Sequence, residues 1–259
     1  MKINHLRITS IPAQGFFLAL LLLSHVSIAQ LSYFNMPNPD MFPDVGYSYV
    51  EYDQYISVKG NENVNANVLR GMIQPLRFLE VGTNLWFNKE LDTNPDKLVI
   101  STKWRIWLRQ NEKIKLSLSP GSWSSFYFQK DIAIKNIVYT FAGLTVNHSD
   151  VIYTRLMLGG YAKHWKESVE LGQDEWQSGL MAGIEQRLSK KFVFVTDYFQ
   201  GSGEGFGLAT GFVYYAINNG SNLPIYLAYQ FDNDSRANDA MIFEIGYFFK
   251  AYTPRRSAK

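Results

Sequence analysis

The chain has 259 residues, 15% of them aromatic, no cysteine, and 25 basic residues against 23 acidic ones. That balance, with no polybasic run, gives no footing for nucleic acid or for an anionic membrane surface. Without cysteine there are no disulfides and no thiolate metal site, and the length suits a single domain.

Residues 1–29 read as an export signal. Lys2 and Arg7 supply the positive start, Phe16–Leu23 an apolar core, and Ser27-Ile28-Ala29 a small-x-small cleavage site. The core falls short of the roughly 20 apolar residues of a membrane-spanning helix. Cleavage would leave Gln30 as the new N-terminus. Without Lys2 and Arg7 the 25 basic residues fall to 23 and balance the 23 acidic ones. Pro37, Pro39 and Pro43 keep residues 30–44 out of any central strand, so a lead-in on the periplasmic side is expected there.

From residue 45 the pattern changes to a period of two. Twelve strand-like runs follow: Val45–Val58, Asn65–Ile73, Phe78–Phe87, Lys97–Arg109, Lys113–Ser119, Ile132–Val146, Val151–Ala162, Gln177–Leu188, Lys191–Gln200, Gly205–Ala216, Leu223–Phe231 and Ala240–Phe249. The fourth is the most telling. Leu98, Ile100, Thr102, Trp104, Ile106 and Leu108 alternate with Val99, Ser101, Lys103, Arg105, Trp107 and Arg109, which places an apolar row on one face and cations on the other. Strands of soluble domains run to about 5–6 residues, whereas a tilted strand crossing a bilayer needs roughly 9–11. No helical periodicity of useful length appears after residue 30.

Connections between these runs alternate in length. Those at 59–64, 88–96, 120–131, 163–176, 201–204 and 232–239 are mostly long and polar; those at 74–77, 110–112, 147–150, 189–190 and 217–222 are mostly short. The last run ends in MIFEIGYFF, with Met241, Phe243, Ile245, Tyr247 and Phe249 on one face.

Signal, alternation, connection asymmetry and terminal aromatic strand together resemble the outer-membrane β-barrels of Gram-negative bacteria over residues 45–249. The resemblance implies an all-β fold, a transmembrane antiparallel up-and-down barrel of about 12 strands in the cell outer membrane. It implies surrounding outer-membrane lipid, the barrel-insertion machinery as a partner, both termini periplasmic and the long loops outside. Residues 250–259 depart from the class pattern, which ends on the aromatic strand, and are expected to form a periplasmic tail. The competing architecture is a secreted β-sandwich, whose strands also alternate.

If the apolar face meets lipid, the other face lines a lumen. The candidate lining charges are Glu80, Lys103, Arg105, Lys115, Arg155, Glu185, Arg187, Asp197 and Glu244, together with Glu51, Asp53 and Arg70. Such charges can pair across a narrow interior or select a solute. Lys103, Arg105 and Lys115, with Glu80 as nearest counter-charge, read as a basic wall favouring anions. The leading expectation is a passive channel or small-solute transporter. The alternative is a non-conducting accessory barrel presenting its loops to an envelope partner, and the third is a lipid hydrolase.

No cofactor, metal site or enzymatic activity is expected. Outer-membrane lipid hydrolases carry a His and a Ser two apart on one face, but His148 and Ser149 are adjacent. The glycine run from Gly201 to Gly207 is followed by an alternating segment, not the helix a phosphate loop needs. Asp232, Asn233, Asp234 and Asp239 read as a solvated acidic loop.

Overall fold

A computed structural model describes residues 45–60, 65–88, 95–128, 134–166, 174–201, 206–216 and 223–251. The export signal, the lead-in and all but the first two residues of the tail lie outside the described residues. The described chain forms thirteen strands: β1 (Tyr47–Ser57), β2 (Ala66–Leu76), β3 (Leu79–Asn88), β4 (Lys97–Trp104), β5 (Ile106–Gln110), β6 (Ile114–Tyr127), β7 (Ile134–Asn147), β8 (Tyr153–Lys166), β9 (Asp174–Arg187), β10 (Phe192–Phe199), β11 (Gly207–Tyr215), β12 (Pro224–Asp232) and β13 (Ala240–Lys250). Each pairs antiparallel with its sequence neighbour, except that β4 and β5 are two halves of one stave and both pair with β6. The first strand, β1, pairs with the last, β13, from Tyr47↔Lys250 to Ser57↔Ala240. The sheet therefore closes into a barrel of twelve antiparallel staves, in which only the short β5 is paired on one side alone, with β6.

The stave break has a local cause. Pairing of β4 with β3 ends at Leu79↔Trp104; the next amide, of Arg105, donates to the carbonyl of Phe78 in the adjacent turn at 2.8 Å. Pro120 stands on β6 opposite this break, between Gly121, which pairs with Lys103, and Leu118, which pairs with Ile106. A proline lacks the N–H a ladder needs, and here it falls where the ladder is already interrupted. The sequence pattern ends the fifth run at Ser119, but the strand continues through Pro120 to Tyr127. A register shift between Trp107 and Arg109 then turns Arg109 outward and away from the face that parity assigns it.

Strands β6 to β9 each run 14 residues, beyond the roughly 9–11 that cross a bilayer. They rise as a tall wall at the end opposite the chain termini, called here the loop end. Their extension trims the connections expected at 120–131 and 163–176 to 128–133 and 167–173, so the asymmetry of connection lengths is milder than the sequence suggests.

Burial alternates along the staves. Tyr49, Glu51 and Asp53 are buried while Val50 is exposed; on β8, Arg155 and Met157 are buried while Leu156 and Leu158 are exposed. In a closed barrel the buried set faces the interior. The exposed set is a band of large apolar side chains around the circumference, including Leu158 at 64%, Leu180 at 59% and Leu227 at 54% exposure. A soluble sandwich would bury that face, because contiguous apolar surface of this extent does not persist in water; hydrocarbon accepts it.

Aromatic residues border the band, as barrel girdles do. Phe78 stacks on Trp104 and Tyr247 on Phe249 at the terminal end, with Phe192 against Tyr214. At the loop end, Tyr229 packs on Phe231 and His164 on Trp176.

Placing a charge in the band tests the facing. Leu158→Arg should destabilise the barrel by about 2–4 kcal/mol, the cost of arginine at a bilayer midplane, as measured by reversible denaturant unfolding in lipid vesicles.

Candidate functional site: the lumen

The interior is divided. Along β7–β13 it is filled mainly by apolar side chains, among which Phe141, Met181, Val195, Val213, Tyr226 and Ile242 are each 1% exposed or less. Aromatic rings interlock at its loop end: Phe199 lies 4.5 Å from Tyr161 and 4.7 Å from Phe206, centroid to centroid. Along β1–β6 the wall is polar, with Glu51, Asp53, Arg70, Glu80, Lys103 and Arg105 all buried.

The charges expected across the lumen meet along the wall instead, because opposite residues on adjacent strands lie only about 5 Å apart. Glu80 and Lys103 are register partners on β3 and β4 and form a buried ion pair. Arg105 lies 3.9 Å from the same carboxylate and donates from Nη2 to the carbonyl of Arg77 at 2.9 Å. Arg105 thereby ties the β2–β3 turn. Lys115 sits lower, on the part of β6 opposite Gln110, 5.9 Å from the Trp107 ring centroid. Six residues of β6, about 20 Å of extended chain, separate it from Gly121, the partner of Lys103. The three cations expected to stand together as a basic wall are thus strung along the stave.

Arg155 and Glu185 are register partners on β8 and β9, with Nη1 2.5 Å from Oε2. The Tyr153 hydroxyl donates to the same carboxylate, and Arg155 Nε donates to Thr145 Oγ1 at 3.0 Å. Arg187 donates to the carbonyls of Ser189 and Lys190 at 3.1 and 2.8 Å, fixing the β9–β10 turn. Asp197 and Glu244 are buried, at 1% and 0% exposure. Glu244 faces Asp53 across the β1–β13 seam, where Glu51 and Asp53 are paired with Arg70 at 3.3 and 2.6 Å.

Sequence reasoning passes over the cations at the loop end. Lys97, Lys135 and Lys163 share parity with inward residues of β4, β7 and β8. Lys97 Nζ lies 3.9 Å from the Trp86 ring centroid and 5.8 Å from that of Tyr127. Lys163 and Lys135 lie 4.4 and 5.7 Å from the Phe206 centroid. Parity with Lys103 was enough to find Lys97. Lys163 falls in an expected loop, and the sixth run is ambiguous in facing, so the other two carry no clear signal.

The remaining motifs resolve into turns. Ser149 Oγ accepts from the amides of Val151 and Ile152, and His148 Nε2 lies 2.8 Å from Thr154 Oγ1, so both shape the β7–β8 turn. Asp232 Oδ1 accepts from the amides of Asp234 and Ser235, while Asp239 accepts from the Asp232 amide and the Tyr229 hydroxyl. Beyond the glycine run the chain enters β11, with no helix to follow.

A closed barrel with a divided interior, an outward apolar band and aromatic borders has the architecture of a transmembrane β-barrel. No protein-family model matches the sequence, and neither does any curated protein. Similar solved structures include the KdgM porin in complex with disordered oligogalacturonate, 10% identical over 78% of this chain and 98% of that one, with a TM-score of 0.47. Others are the CymD monoaromatic hydrocarbon channel (12% identity, 93% and 94% coverage, TM-score 0.33) and the toluene transporter TodX of Pseudomonas putida (9% identity, 88% and 97% coverage, TM-score 0.34). These are likenesses in outline only.

The wall pairs should behave as buried salt bridges do. Glu80→Gln removes the carboxylate that pairs with buried Lys103 and should destabilise the barrel, by up to about 3–5 kcal/mol, whereas the double variant Glu80→Gln with Lys103→Met should recover most of the loss. Denaturant midpoints of the single and double variants check this.

Proposed function

We propose that the protein is a narrow outer-membrane channel for small solutes, non-enzymatic and favouring anions. The observation that carries this reading is the loop end of the lumen, where Lys97 and Lys163 are buried and turned inward and Lys135 joins them, each against an aromatic face. Cations lining a mouth bias it toward anions where their charge exceeds that of the neighbouring acids. Below the mouth, Ser101, Ser117 and Ser119 continue the polar wall, offering hydroxyls in place of a solute's water. This reading sets the loop end outside the cell and both termini in the periplasm, with the insertion machinery and outer-membrane lipid as partners.

A second reading, a non-conducting accessory barrel that presents its loops to an envelope partner, is favoured by the packing of the waist. Tyr49, Asp53, Val195, Ala209, Ile242 and Glu244 show no exposure at all, so passage requires these side chains to move.

Planar-bilayer recordings decide between the two. The channel reading expects small, anion-selective conductance steps, with selectivity shifting toward cations in a Lys97→Glu, Lys163→Glu double variant whose folded, heat-modifiable gel band persists. A folded protein that gives no steps would overturn it in favour of the accessory barrel. Orientation is tested separately: a tag inserted within 167–173 should be labelled on intact cells and one at 189–190 should not.

A further inference from the structure

Glu51, Asp53 and Glu244 place carboxylate oxygens within 4.8 Å of one another in the buried wall. Two of these acids stand on β1 and the third on β13, directly across the strand pair that closes the barrel. Arg70 answers the first two, at 3.3 and 2.6 Å, and Tyr49 donates its hydroxyl to Glu51. Glu244 has no such partner. Its side chain is fully buried, and neither carboxylate oxygen receives a hydrogen bond. With all three carboxylates ionised, one guanidinium leaves the nest two negative charges in excess.

Two such charges in a low-dielectric interior are costly unless protons or a cation compensate them. We propose that the nest binds one hard divalent cation, held by Glu51, Asp53 and Glu244, which staples the first stave of the barrel to the last. The donor set is oxygen only, which selects calcium, magnesium or manganese over zinc or copper. Calcium–oxygen distances of about 2.3–2.6 Å allow two ligand oxygens to stand up to about 5 Å apart across the ion, so the observed spread needs little rearrangement. A dication brings the nest to neutrality and supplies the partner that Glu244 lacks. The site is independent of whether the barrel conducts.

The test uses the full folded protein in detergent free of lipopolysaccharide, stripped with EDTA and then melted with and without calcium, magnesium or manganese. At a hundredfold excess over the dissociation constant, the cation should raise the temperature at which the heat-modifiable band is lost by about 5–10 °C. In Glu244→Gln the cation-induced shift should vanish, while the metal-free barrel melts higher than metal-free wild type because one excess charge is gone. Terbium supplies a second readout, since Tyr49 and Tyr55 flank the nest and should sensitise its emission in wild type but not in the variant. If Glu244→Gln fails to fold, Asp53→Asn takes its place in both measurements. Absence of any cation shift together with absence of sensitised terbium emission in wild type would overturn the site. Equal shifts in wild type and variant would overturn it too, by placing the ion elsewhere.

Discussion

Everything in this barrel depends on the pairing of β1 with β13. In hydrocarbon no water is available to a free amide or carbonyl, and each one left unpaired costs several kcal/mol, so a sheet can cross only if it has no edge. Eleven register pairs, from Tyr47↔Lys250 to Ser57↔Ala240, close the ring. The two end strands that meet at this seam also carry a dense group of buried charge, with Glu51 and Asp53 on one side and Glu244 on the other. Small residues let the seam close tightly: a Cβ on Gly246 would run into the ring of Tyr49, which lies over that position.

The same constraint governs how charge is handled inside. Glu51 with Arg70, Glu80 with Lys103, and Arg155 with Glu185 are all direct register partners on neighbouring strands. Cross-strand neighbours are held at fixed separation by the backbone ladder, whereas partners across a lumen would need long side chains ordered in open space. Salt bridges therefore form along the wall, and the centre is left to apolar packing on the β7–β13 side. The tall wall of β6–β9 then brings Lys135 and Lys163 to the loop end, where Phe206 lies close to both cations.

Sequence alone pointed to the barrel, and the closing of β1 on β13 with an exposed apolar band excluded the sandwich. A period of two maintained over runs too long for a soluble domain has one economical solution, a strand apolar on one face and crossing a bilayer, and a set of such strands must close. All twelve runs are staves in the structure, most within a few residues of their expected bounds, and the charges read as lumen lining all stand on inward-facing positions. Parity is a local property of the backbone, so composition fixed it along most runs, the ambiguous sixth and the bulged end of the fourth excepted.

What only the tertiary structure decided is which of those inward residues meet. The break at Arg105 falls where pairing with β3 ends, and the bulge beyond Trp107 lies in the pairing of β5 with β6 alone. They explain why Pro120 is tolerated in mid-strand and why Arg109 turns outward. The joining of Glu244 to Glu51 and Asp53 rests on a contact between positions some 190 residues apart in the chain. No local pattern carries that information, because it is set by the number of staves and the register in which the last one returns to the first.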